Sequence, residues 1–158
     1  MRKHYSNCIL ASLVLCLLAV GVGCANYANV DAVESNSRLE SVYACNFPQN
    51  AEIAIAQMRF GDTTSFIGRF QCDSEELKSF LGSFNPTIVL HTNSNPWGTV
   101  KEAPTRGIKW WDAHEILESA SGVLESPTME FLVSVSMLET NLNLIYFKAS
   151  FESGMEVK

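Results

Sequence analysis

Basic side chains are scarce in this 158-residue chain, with eleven Lys and Arg against seventeen Asp and Glu. Two of the eleven are Arg2 and Lys3, so the chain beyond residue 23 holds nine basic and seventeen acidic side chains, a net charge of −8. An acidic domain gains no long-range attraction to nucleic acid or anionic lipid, which removes nucleic acid from the expected partners. Histidine is scarcer still, at three residues. There is no His-Glu-x-x-His, no Cys-x-x-Cys and no carboxylate-rich calcium loop, so neither a metal nor a cofactor is expected. Gly-x-Ser-x-Gly is missing too, and Ser134 and Ser136 fall on an expected strand instead of the strand-to-helix elbow that exposes a nucleophile. His114 and Glu115 are neighbours on an expected helix and point about 100° apart, poor geometry for shared ligation. The chain is therefore not expected to be an enzyme.

Charge is also absent from residues 8–23, sixteen positions rich in Leu, Val and Ala. Behind a basic start this has the shape of a secretory signal. The run is shorter than the roughly 20 apolar residues that a spanning helix needs. It closes with Val22-Gly23-Cys24, which resembles the lipobox of bacterial lipoproteins, Gly21 standing where Leu is usual. The resemblance implies that the Cys24 thiol takes diacylglycerol, that residues 1–23 are removed, and that the new amine is acylated, palmitate being one such chain. Membrane attachment then comes from the acyl chains, of which stable anchoring needs at least two. Gly23-Cys24-Ala25 also meets the small-x-small rule of ordinary signal peptidase, so soluble secretion and an uncleaved anchor are competing outcomes. Ala25 is not the Asp that marks inner-membrane retention. The resemblance thus implies the periplasmic face of the outer membrane in a cell with two membranes, and the cell membrane otherwise.

Of five cysteines, Cys8 and Cys16 leave with the signal and Cys24 is the lipid site, which leaves Cys45 and Cys72. A pair in an exported chain points to a disulfide, with two separate buried thiols as the alternative.

Residues 25–40 are rich in Asn, Ser, Ala and acidic side chains with little periodicity, and are expected to form a flexible tether spanning on the order of 20 Å. Residues 41–158 have room for one core and carry no internal repeat, so a single domain is expected. Its first hairpin is expected from strands over 51–60 and 65–72, with Phe60 opposite Ser65 and Ile53, Ile55, Phe66, Phe70 and Cys72 on one face. Arg59 and Arg69 then point to opposite sides. Asp73-Ser74-Glu75-Glu76 has capping-box spacing and opens a helix burying Leu77, Phe80 and Leu81, with Gly82 as its stop. A second helix is expected after Asp112, with Ile116, Leu117 and Ala120 on its apolar side and Gly122 ending it. The final hairpin covers 129–151. Burying its apolar face selects the pairs Val135 with Ile145, Val133 with Phe147 and Phe131 with Ala149, joined by a three-residue loop of Glu139-Thr140-Asn141. The expected fold class is α+β, a small antiparallel sheet of two hairpins with two short helices packed on one face.

Between the two expected helices lies a Pro-, Asn- and Gly-rich stretch, residues 84–109, of a length that is often functional in small domains. Trp97 sits in it beside Pro96 and Gly98, and Trp110 and Trp111 close it. Adjacent indoles offer planar surface and two donors for a sugar, peptide or protein, and equally serve as core plugs. Pro48, Ala51, Arg69-Phe70, Phe80, Trp110-Trp111 and Tyr146 together resemble a set of small bacterial envelope proteins that carry no assigned activity. That resemblance implies fold and location only. The expected function is a membrane-anchored binding module for an envelope protein or cell-wall component, with Trp97, Trp110 and Trp111 as partner-binding candidates. An inhibitor or immunity-type protein of an envelope enzyme is the alternative, favoured by the acidic charge. A weak hydrolase using Asp112 and His114 comes third.

Overall fold

Alternating apolar residues build strands here, and two of those strands are apolar on both faces, which decides the architecture. The computed structural model describes residues 27–92, 108–112, 120–152 and Gly154. The elements are β1 (Ala28–Asn29), α1 (Ala32–Tyr43), β2 (Ala54–Phe60), β3 (Thr63–Asp73), α2 (Ser74–Ser83), β4 (His91–Thr92), β5 (Ala120–Ser126), β6 (Met129–Glu139) and β7 (Leu142–Glu152). All seven strands join one antiparallel sheet in the order β1-β2-β3-β7-β6-β5-β4.

This overturns the small α+β sheet of two hairpins. The two hairpins exist, but β3 and β7 pair with each other along their whole lengths, from Thr63 opposite Glu152 to Asp73 opposite Leu142. The reason is that both bury side chains on each face: Phe66 and Phe70 against Ile67 on β3, Ile145 and Phe147 against Leu144 and Tyr146 on β7. Neither could stand at an edge without exposing a row of apolar side chains, so each takes neighbours on both sides.

Both helices cover one face. Leu39 and Tyr43 of α1 and Leu77, Phe80 and Leu81 of α2 meet Ile55, Phe66, Phe70, Phe131, Val133, Ile145 and Phe147 from the sheet. At its centre Phe131 and Phe147 lie nearly parallel, 5.4 Å apart. Gly68 of β3 faces the Phe147 ring so closely that a Cβ there would overlap it. On the opposite face Tyr27, Ile108 and Trp111 cover Ala56, Ile67, Leu132, Leu144 and Tyr146.

The expected tether is largely absent. Tyr27 is buried, β1 pairs with β2, and α1 begins after Asp31, whose carboxylate accepts from Glu34 N–H at 2.9 Å. Asp31-x-x-Glu34 repeats the spacing of Asp73-x-x-Glu76, so the capping signal was present in the sequence. What hid the helix is its thin apolar stripe, only Ser35, Leu39 and Tyr43 being buried. The chain leaves α1 through Ala44 at φ 51°, a left-handed position that a residue with a Cβ occupies at a cost of about 1 kcal/mol.

At α2 the capping box is complete, Asp73 accepting from Glu75 and Glu76 N–H while Glu76 accepts from Asp73 N–H. Gly82 does not stop this helix, which runs on to Ser83. In the first hairpin Phe60 faces Thr63 instead of Ser65. Gly61 at φ 57° forms the first position of a two-residue turn, as a type II′ geometry requires, and the β-branched Thr63 and Thr64 join the strand. The shift is two residues, so the face assignments survive. In the last hairpin the expected pairs are the observed ones, but a bulge between Met137 and Glu139 shortens the loop to Thr140-Asn141.

The expected second helix falls outside the described residues except at its end, and there the expectation fails. Ala120 and Gly122 belong to β5, opposite Val135 and Val133. A Cβ on Gly122 would stand 2.8 Å from the Val89 carbonyl oxygen, so the glycine marks a close backbone crossing and not a helix stop.

The expected Cys45–Cys72 disulfide is not formed; both thiols are free and buried. Cys45 turns toward the end of its own helix, its sulfur 4.0 Å from the Leu39 carbonyl. Burial, reinforced by the Glu40 carboxylate, pushes the Cys45 thiol from 9.0 up to about 12. Burial, with Glu76 and Asp73 adding to it, does the same for Cys72. Tyr27 is likewise raised to about 12 by burial, against a lowering hydrogen bond from Ser65. Only thiolates react readily, so peptide mapping after alkylation at pH 8 is expected to find Cys45 and Cys72 modified in denatured protein and untouched in folded protein. The linkage has a definite sign. The unfolded state loses these protons first, so the stabilisation is complete below about pH 9 and is lost as pH climbs through about 12. Urea midpoints measured across that window should fall steadily.

Candidate functional site

β2 starts at Ala54, opposite Arg69, so residues 70–73 of β3 extend past it with no strand paired on that side among the described residues. Residues 50–53 swing away, and the space between forms an open groove of about 640 Å³. Its walls include Glu52, Ile53, Gln71, Cys72, Glu76 and Trp110. The two-residue turn determines which backbone groups face it. In a type II′ turn the Phe60 carbonyl bonds Thr63 N–H, so odd-numbered β3 residues aim N–H and C=O toward β2 and even ones toward β7. Val30 N–H bonding the Ile55 carbonyl from the far side of β2 fits that phase. Past Arg69, Asp73 N–H is taken by Glu76 at 3.3 Å, and the Gln71 amide and carbonyl point into the groove.

The segment 108–112 supplies the Trp110 wall and is held by a polar cluster on the sheet. One Arg69 nitrogen donates to the Trp110 carbonyl at 3.1 Å and to both Asp112 oxygens at 3.3 Å. The Tyr146 hydroxyl donates to Asp112 Oδ1. The Arg69 guanidinium also sits 5.8 Å from the Tyr146 ring centre, within cation–π range. Asp112 is therefore a latch in this structure, pairing a cation and a phenol that project from adjacent strands, Arg69 opposite Tyr146.

The two described tryptophans divide their work. Trp111 is buried, edge-on to Tyr146 at 5.3 Å, and acts as a plug over the second face. Trp110 is half-buried, its indole N–H donating to Asn29 at 2.9 Å while it borders the groove. Trp97, His114 and Cys24 lie outside the described residues. Arg59 and Arg69 fall on opposite sides of the sheet, as strand parity requires. Glu52, Gln71 and Glu76 are the groove residues that sequence reasoning missed, because the groove exists only where β2 stops short of β3. Asp73 and Glu76, which cap α2, line the groove together with Glu52, so its described lining is rich in acidic side chains, and the Arg69 guanidinium there is tied to Asp112. A second recess of about 490 Å³ shares Asn50 and Glu76 with it and adds Glu40. Among the described residues, no three His, Cys, Asp or Glu side chains are grouped to hold a metal. An acidic groove with a main-chain hydrogen-bonding edge and an aromatic wall is suited to gripping an extended, positively charged chain. The protein matches no protein-family model, no curated protein and no solved structure.

Proposed function

We propose that the chain is an envelope lipoprotein, attached through Cys24, that works as a binding module taking an extended basic segment of an envelope protein into the groove beside β3. The observation that carries this is the Gln71 backbone edge, open to a groove walled by Trp110. Strand addition supplies affinity through the main chain, and the acidic lining selects charge. Of the groove's ionisable residues, Asp73 and Glu76 cap α2 and Arg69 is held in the Asp112 latch, which favours binding over acid–base chemistry. Inhibition of a basic envelope enzyme is the second reading, supported by the same acidity and by the net charge of −8 beyond residue 23.

The test is affinity capture from envelope extract with the intact protein, the Trp110→Ala variant and the Glu52→Lys variant. A partner held by strand addition should lose affinity about 30-fold or more on removal of the aromatic wall. It should weaken on charge reversal at Glu52 in a salt-dependent way. Unchanged capture by either folded variant would count against the groove. A captured protein that is a basic hydrolase losing activity when bound would select the inhibitor reading.

A further inference from the structure

The domain has two ends, and its chain path decides which one meets a membrane. β1 pairs Ala28 with Gln57 and Asn29 with Ala56. Followed backward, that register brings Tyr27 level with Met58, and the two side chains share the second core cluster. From Asn29 back to Tyr27 the chain therefore runs toward the Arg59–Phe60 end of β2, away from the groove at the other end. Tyr27 is locked in the core at 5% exposure. Only Ala25 and Asn26 separate it from Cys24. Three residue steps reach roughly 11 Å when fully extended. Phe60 lies two residues past Met58, roughly 7 Å along the strand. It is 68% exposed, at the mouth of the Gly61-Asp62 turn.

We propose that the β2–β3 hairpin tip, with Phe60 as its apolar point, rests in the interface of the lipid bilayer beside the Cys24 anchor. This rests on the lipidation of Cys24. Acyl chains on that residue fix the anchor within the headgroup layer, and the short connection leaves the tip no room to stand clear. An exposed aromatic at such a position is buried among headgroups and upper acyl segments, while Arg59 beside it reaches phosphate. Asp62 and Glu152 share this end with Arg59, so net charge does not draw the tip to anionic lipid and the contact is apolar. The opposite end, with the Thr140-Asn141 turn and the groove, then faces away from the bilayer. Eleven-residue strands separate the two ends by roughly 35 Å.

The experiment uses the full chain, processed in cells, extracted and reconstituted into phosphatidylethanolamine–phosphatidylglycerol vesicles. Asp62→Cys and Thr140→Cys place an environment-sensitive dye in the two turns, and the unsubstituted protein controls for labelling of Cys45 and Cys72. With nitroxide-bearing lipid as quencher, the dye at position 62 is expected to be blue-shifted and quenched several-fold more than the dye at position 140, at low and high salt alike. Phe60→Asp in the Asp62→Cys background should remove most of that difference. Equal, weak quenching at both positions in protein whose intact mass carries acyl chains at Cys24 overturns the proposal and leaves the anchor standing. Protein extracted without acyl mass overturns the anchor and the proposal together.

Discussion

Phe131→Ala is expected to lower the free energy of unfolding by about 3–5 kcal/mol, read from urea denaturation as a fall in midpoint with little change in slope. Phe131 is fully buried and joins both layers of the first core. From β6 it meets Tyr43 of α1 at 5.1 Å, Phe84 just past α2 at 4.8 Å, Phe80 at 6.3 Å and Phe147 of β7 at 5.4 Å. Truncation strips aromatic contacts from two helices and the neighbouring strand at once. The rings around the void come from different elements and cannot all collapse inward, which places the loss high in the usual range. Phe131→Leu should cost less than half as much, since it keeps most of the volume.

Gly68→Ala is the second large effect, and it acts by excess of volume. The new methyl would overlap the Phe147 ring, which is fully buried and stacked on Phe131. The ring cannot retreat without displacing that stack, so a cost of about 3 kcal/mol is expected, the upper part of the usual overpacking range. Phe147→Leu alone should also destabilise, by about 1–2 kcal/mol. Because leucine vacates the space the methyl needs, the double variant should be more stable than the sum of the two losses by at least about 1 kcal/mol. Additivity across that cycle would mean the strain lies in the β3 backbone and not against the ring.

Short-range chemistry was the legible part of this fold. The complete Asp73–Glu76 capping box follows from neighbours within one helical turn, and the register of β6 on β7 from pairs within one hairpin. Where a local pattern had two meanings, the wrong one won. Gly122 looked like a helix stop because the Val89 backbone that requires it lies far away in sequence. The pairing of β3 with β7 was not legible, because alternation identifies a buried face without naming the strand that lies alongside. The same limit governed the site. Arg69 and Trp110 stood out as types, but Glu52 and Gln71 acquire a role only from the point at which β2 ends. Trp111 went to the core, as a large aromatic usually does.

The β3–β7 seam also sets an order in time. Thr63 meets Glu152 and Asp73 meets Leu142, so the middle of the sheet is closed by strands about 70–90 residues apart. Until β7 has been made, β3 has β2 on one side and nothing on the other, and Phe66 and Phe70 have no Phe147 or Phe151 to pack on. The entropy of closing so long a loop is paid late, and the domain folds slowly. A chain made N-terminus first therefore stays slack until β7 is complete, and its sheet can lock only then.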